Sequence, residues 1–170
     1  QSPAAVFCEL SLADGGATLF THAFLNQRPE AVEEMIGNGT VVLGLADAGA
    51  HVGQIMDASQ PTFFLRDWVR DRKLLSLEEA VRRLTSDTAQ LFGLRDRGVL
   101  RAGAVADVNV IDLAGLRLPA PAYVRDFPGG AGRFVQRSAG YDCTLVNGQI
   151  FMERGEHTGA FAGRVLRTSD

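Results

Sequence analysis

The 170-residue sequence predicts an α/β portion followed by a β-rich portion, with the change of character near residue 97. Three observations carry that expectation. Residues 17–22 and 40–45 read as β-prone runs around a helical stretch, the spacing of a strand, a crossover helix and a parallel strand. Val108 and Val110 alternate with Asp107 and Asn109, as in a half-buried strand. Asn147-Gly148 interrupts YDCTLVNGQIFME, the strongest two-residue hairpin signal in the chain.

The chain opens on QSPAAVFCELSLADGG, which reads as the middle of a helix. It has no initiator Met, no basic leader and no signal-type cleavage region, so the chain is expected to start inside a longer polypeptide. ATLFTH, residues 17–22, is a short strand ending in His22. Asn26 is a candidate cap for the next helix, Pro29 suits its first turn, and Val32, Met35 and Ile36 fall on one face. Gly37 and Gly39 close that helix, and TVVLGL is the following strand.

Farther on, PTFFLRDWVRDRK starts a helix at Pro61 and sets Phe64 and Trp68 four apart beside Leu65 and Val69, a core-facing stripe. SLEEAVRRLT pairs Ser76 with Glu79 as a capping box and points Leu77, Val81 and Leu84 inward. DTAQLF ends at Gly93, a left-handed terminator. VRDRK and LRDRG read as solvated helix ends, and Cys8 and Cys143 as small core residues. Glycine and proline mark a long loop between Pro119 and Gly132.

Composition narrows the function classes. Hydrophobic residues make up 46% and charged residues 22%, so the chain can bury a core. A formal charge of −3, with no Lys/Arg run, argues against a nucleic-acid partner. No apolar stretch approaches the roughly 20 residues of a membrane helix. The two cysteines lie far apart and form no C-x-x-C, which points to a reducing, cytoplasmic setting.

The stretch VVLGLADAGAH, Val41 to His51, is where chemistry enters. An aliphatic run suited to a buried strand delivers Asp47, passes the small Ala48, Gly49 and Ala50, and reaches His51. If the two strands are parallel, His22 and Asp47 both sit at carboxyl ends, the edge at which α/β sheets and barrels bind ligands. Asp47 would equally suit a helix N-cap. His51 either lines a pocket or hydrogen-bonds Asp47; His22 is either a site residue or a satisfied buried histidine. Gly49 allows a sharp turn and leaves space for a substrate. His157, in GEHTGAF, reads as a surface or pocket-edge residue.

GVLRAGAVADVNVID resembles the amidohydrolase-superfamily segment in which the chain leaves the catalytic barrel for a small β-sandwich, G-x-L-x-x-G-x-x-A-D and a strand ending in Asp. Gly98, Leu100, Gly103, Ala106, Asp107 and Asp112 match; Ala102 stands where proline is common. LGLADAGAH is similar to the loop after the last barrel strand, which supplies an aspartate to the metal centre, with Ala46 where serine is frequent. DFPGGAGRFVQRSAGYDCTLVNGQ and GEHTGAFAGRVL are similar to the closing segment of the N-acyl-D-amino-acid deacylases, the D-aminoacylases.

The resemblance implies the last βα units of a TIM-type (β/α)8 barrel over residues 1–97 and a small β-sandwich domain over 98–170. It implies zinc-dependent hydrolysis of a linear amide, an N-acyl-D-amino acid, in which a zinc-type ion brings the pKa of water to about 7. Asp47 is then the general base and acid, with a metal contact also open to it; His51, His22 and Gly49 are on the substrate side. The family's H-x-H pair and mid-barrel histidines have no counterpart among this chain's three histidines, so the other ligands are expected outside it. The isolated chain is expected to be inactive and a poor zinc binder. Its partner is a small N-acyl amino acid or related amide, with no nucleic acid and no membrane; incomplete barrel strands leave apolar edges that favour a homo-oligomer. Two other readings stand beside this one: a non-catalytic β-rich assembly module, and a cyclic-amide hydrolase of dihydroorotase or hydantoinase type, against which GEHTGAFAGR argues.

Overall fold

A computed structural model describes residues 1–20, 22, 25–44 and 46–167 of the chain. The chain divides into two compact units, Gln1–Ile36 and Gly37–Asp170.

In the first unit, Ser2 caps helix α1 (Pro3–Ala13) by accepting the Ala5 N–H at 3.2 Å, and Pro3 takes the first turn, where its missing N–H costs nothing. The helix stops where Asp14 accepts the N–H groups of Gly16 and Ala17, each at 3.1 Å. The ring of Phe7 meets that of Phe20 at 4.5 Å. Helix α2 (Pro29–Gly37) starts at the expected proline, but Asn26 is not its cap. Asn26 lies at φ +52°, and the first helical bonds run from Ala31 and Val32 to the carbonyl of Arg28, both at 3.1 Å. Val32 and Ile36 are half-buried while Met35 is exposed, and Cys8 is exposed on α1 rather than core.

The described parts of the two β-prone runs, residues 17–20 and 40–44, carry no β-ladder; Thr21 and Leu45 lie outside the described residues. Val41 and Val42 are 41% and 50% exposed, where a strand buried on both faces was expected. The physical reason is that a parallel strand exists only through its neighbours. Among the described residues no strand pairs with either segment.

The core of the second unit lies under three helical segments. Helix α3 (Gln60–Phe63) runs into a π-helical stretch, Phe64–Asp71, followed by α4 (Leu77–Leu84) and α5 (Ser86–Leu91). Phe64, Leu65, Trp68 and Val69 are buried as the spacing predicts, together with Ala80, Ala89 and Leu116. Ser76 does cap α4, accepting the Glu79 N–H at 3.1 Å. The Glu79 carboxylate does not reach back to close the box. It pairs with Arg82 at 2.9 Å and Arg83 at 2.8 Å, which holds its carboxyl below the usual range. That register turns Ala80 and Arg83 inward and leaves Leu77 and Val81 exposed, against expectation. Gly93, at φ +72°, ends α5 in a Schellman motif, with Leu94 N–H on Ala89 O at 2.8 Å and Gly93 N–H on Gln90 O at 3.0 Å. Arg70 then ties the helices to the following segment, donating to the carbonyls of Leu113, Ala114 and Leu116 at 3.2, 3.3 and 2.7 Å.

Beyond the helices the chain is antiparallel. Strands β1 (Val108–Ile111), β4 (Tyr141–Val146), β5 (Gln149–Glu153) and β6 (Glu156–His157) form one sheet in the order β1-β4-β5-β6. The β4–β5 turn is Asn147-Gly148 with φ +50° and +77°, the geometry of a type I′ hairpin. The alternation in β1 breaks at a bulge between Val110 and Ile111, which leaves Val110 exposed and turns Ile111 inward. Cys143, on β4, is only half-buried. The span between Pro119 and Gly132 is more than a loop: it holds β2 (Ala122–Val124) and a 3-10 turn, Pro128–Gly130, and β2 pairs with β3 (Arg133–Val135) in a separate two-stranded sheet.

The segment from Gly98 to Asp107 acquires a structural account. Gly98 sits at φ +78° where a β-carbon would lie 2.9 Å from Ala89 Cβ and 3.0 Å from Thr85 O, so only glycine packs against α5 there. Asp107 accepts the Asn147 N–H and the Arg97 Nη1–H, both at 2.8 Å, while Gly148 N–H reaches Ala106 O at 2.9 Å. The motif's aspartate is thus a latch on the hairpin turn. Asp107→Ala is expected to cost about 1 kcal/mol in urea unfolding, since the freed turn N–H can still meet water.

Candidate functional site

Asp47 and His51 belong to one loop whose shape is set locally. The Ala50 N–H bonds to the Asp47 carbonyl at 3.1 Å, with Gly49 at φ +93° in the third position of the turn, as a type II turn requires. A second tight turn follows, in which Gln54 and Ile55 donate to the His51 carbonyl at 2.6 and 3.0 Å. His51 itself adopts φ +47°. That left-handed backbone costs a non-glycine residue on the order of 1 kcal/mol, so surrounding structure must hold it.

The Asp47 carboxylate is exposed and caps no helix, since only turns follow it; the N-cap reading does not hold. Among the described residues no hydrogen bond or ion pair joins Asp47 to His51, so that expected contact is not made. Gly49 is exposed with open space where a β-carbon would stand, as a substrate-side position needs. His22 is exposed and belongs to the first unit. His157, at the surface, accepts the Gly159 N–H on Nδ1 at 2.9 Å between the rings of Phe151 and Phe161.

One long-range contact anchors the loop. Phe134 N–H of β3 donates to the carbonyl of Val52, the residue after His51, at 2.9 Å. Beside it, a β-carbon on Gly53 would lie 3.5 Å from the Gly132 carbonyl oxygen. Tyr123 of β2 faces Phe134 across the hairpin, ring to ring at 5.0 Å and edge-on, and its ring covers Gly132 so closely that a β-carbon there would collide with it. Arg133 closes the hairpin by donating through Nε and Nη2 to Asp126 at 2.9 and 2.8 Å, which holds the Asp126 carboxyl below the usual range. Reasoning from the sequence missed Tyr123, Gly132 and Phe134. A run of Gly and Pro ahead of alternating residues was the signal, and it read as loop alone.

Among the described residues no group of three or more His, Cys, Asp or Glu side chains is placed to hold an ion. A structural Zn²⁺ takes four ligands and a catalytic one about three. Asp47 alone supplies at most one.

Residues 6–152 match the amidohydrolase family. An uncharacterized protein of Mycobacterium tuberculosis is 32% identical over 171 residues, covering 89% of this chain and 27% of that protein. A D-aminoacylase of Alcaligenes xylosoxydans xylosoxydans is 34% identical over 148 residues, covering 84% of this chain and 28% of the enzyme. A crystal structure of D-aminoacylase aligns with a TM-score of 0.48 at 35% identity, over 62% of this chain and 20% of that one. The chain thus spans little more than a quarter of the length of these two sequence relatives.

Proposed function

The chain belongs to the amidohydrolase family, and on that premise we propose that it is the carboxyl-terminal portion of a deacylase acting on N-acyl-D-amino acids. The observation that carries this is Asp47, whose carboxylate is exposed on an open loop with no partner among the described residues and small residues around it, in a chain that is a D-aminoacylase's relative over most of its length. In this reading Asp47 takes the proton from the attacking water and returns it to the departing nitrogen, without which an amine leaves poorly. Gly49 leaves room for the substrate, and His51 lines its path.

Zinc is the cofactor we propose, with ligands mainly outside these 170 residues and Asp47 at most a weak contact. The segments at 17–22 and 40–45 would become barrel strands when their neighbours are present, with residues 1–97 completing the barrel and 98–170 a β-sandwich. The setting we propose is cytoplasmic.

The test is a pairing of metal analysis and assay. The purified 170-residue chain should carry far less than one zinc and should not release the acid from N-acyl-D-amino acids, while the longer natural polypeptide should do both. Stoichiometric, tightly held zinc in the short chain would overturn the ligand assignment; hydrolysis of a cyclic amide but no linear one would overturn the substrate class.

A further inference from the structure

Resting on the reading of Asp47 as the proton-transferring group, we propose that the β2–β3 hairpin positions the Asp47 loop, with Tyr123 as the positioning residue. The loop's own hydrogen bonds, Ala50 to Asp47 and Gln54 and Ile55 to His51, span three or four residues each. They fix its shape but not its place on the protein. Its place is fixed where β3 meets it, through Phe134 N–H on Val52 O at 2.9 Å and the apposition of Gly132 O and Gly53.

The Tyr123 ring lies against both Gly132 and Phe134, the two residues through which β3 reaches the loop. Removing the ring frees both at once. Gly132 has no side chain because the ring occupies that space, so the pair is built as a unit. The bidentate Arg133–Asp126 pair stiffens the same hairpin between the two strands. A left-handed His51 directly before the anchored carbonyl is the kind of residue that relaxes when its surroundings loosen. Displacing a proton-transferring group by about 1 Å costs on the order of a hundredfold in rate. The consequence for Asp47 is a loss in turnover, accompanied by a smaller loss in substrate binding through His51 of the same loop.

Two measurements test it. In the 170-residue chain, hydrogen exchange across residues 47–55 should quicken about tenfold in Tyr123→Ala and stay native in Tyr123→Phe, with the β4–β5 hairpin unchanged in both. In the longer enzyme, Tyr123→Ala should lower kcat by roughly tenfold to a hundredfold, with a smaller rise in KM through the displaced His51, and Tyr123→Phe should restore both. If β4–β5 protection also collapses, Gly132→Ala replaces Tyr123→Ala, since it displaces the same ring without emptying its site. Native exchange over 47–55 in a folded variant overturns the anchor. Unchanged kcat in Tyr123→Ala beside an inactive Asp47→Asn overturns the positioning role and leaves Asp47 standing; an active Asp47→Asn removes the premise, and with it the role.

Discussion

Asp47→Asn in the longer enzyme is expected to reduce kcat by about a hundredfold to ten-thousandfold while KM changes by less than about threefold, measured as steady-state release of the acid from an N-acyl-D-amino acid. The substitution is nearly isosteric, so the loop's turns, made entirely by backbone groups of Asp47, Ala50, His51, Gln54 and Ile55, have no reason to change. In the role proposed for Asp47, what is lost is the ability to accept a proton from water and deliver it to the leaving nitrogen. Since that exchange occurs in the transition state, its loss lowers kcat and kcat/KM together. His51→Ala should behave differently: a residue lining the substrate's path shifts KM more than kcat. A kcat within tenfold of native in Asp47→Asn would show that another group moves the proton.

The helical half of the fold was legible because its signals are local. Pro61, the Phe64–Trp68 spacing, the Ser76 cap and Gly93 each act within a few residues, and each stands where expected. Asn147-Gly148 is legible for the same reason, since both residues occupy the positive-φ region that the turn demands. The aliphatic runs around residues 17–22 and 40–45 carry the composition of parallel strands, but a ladder is a property of neighbours and none of the described segments supplies one. Burial on α4 was misread because Arg83 turns inward to the Glu79 carboxylate, a choice that apolar periodicity does not contain.

The candidate site divides along the same line. Asp47, Gly49 and His51 could be read as a loop from their order alone, because small residues between two polar ones make a turn. The left-handed backbone of His51 and the bond that its neighbour Val52 accepts from a hairpin more than 70 residues away could not, since Tyr123 and Phe134 meet Gly132 and Val52 only after β2 and β3 pair. Asp107 shows the converse. A motif that resembles a family segment in sequence serves here to hold a turn, its aspartate bonding Asn147 and Arg97.

Trp68→Ala should be the most destabilising single change in the helical layer, by about 3–5 kcal/mol in urea or thermal unfolding followed by circular dichroism. Trp68 is 5% exposed on the same helical stretch as the buried Phe64, Leu65 and Val69, so its removal leaves a cavity that a π-helical stretch cannot close without breaking its hydrogen bonds. Its carbonyl also accepts the Leu74 N–H at 2.9 Å, which ends the stretch and sets up the Ser76 cap of α4. Against a typical domain stability of about 5–15 kcal/mol, a loss of that size lowers the melting temperature on the order of 10 °C. Arg72, whose guanidinium lies 4.5 Å from the Trp68 ring centre, supplies the control. Arg72→Ala removes an exposed cation–π contact and should cost only about 0.5–1 kcal/mol. If the two substitutions cost the same, the ring's contribution lies at the surface and not in the core; if Trp68→Ala costs several times more, packing under the helices is what holds the second unit together.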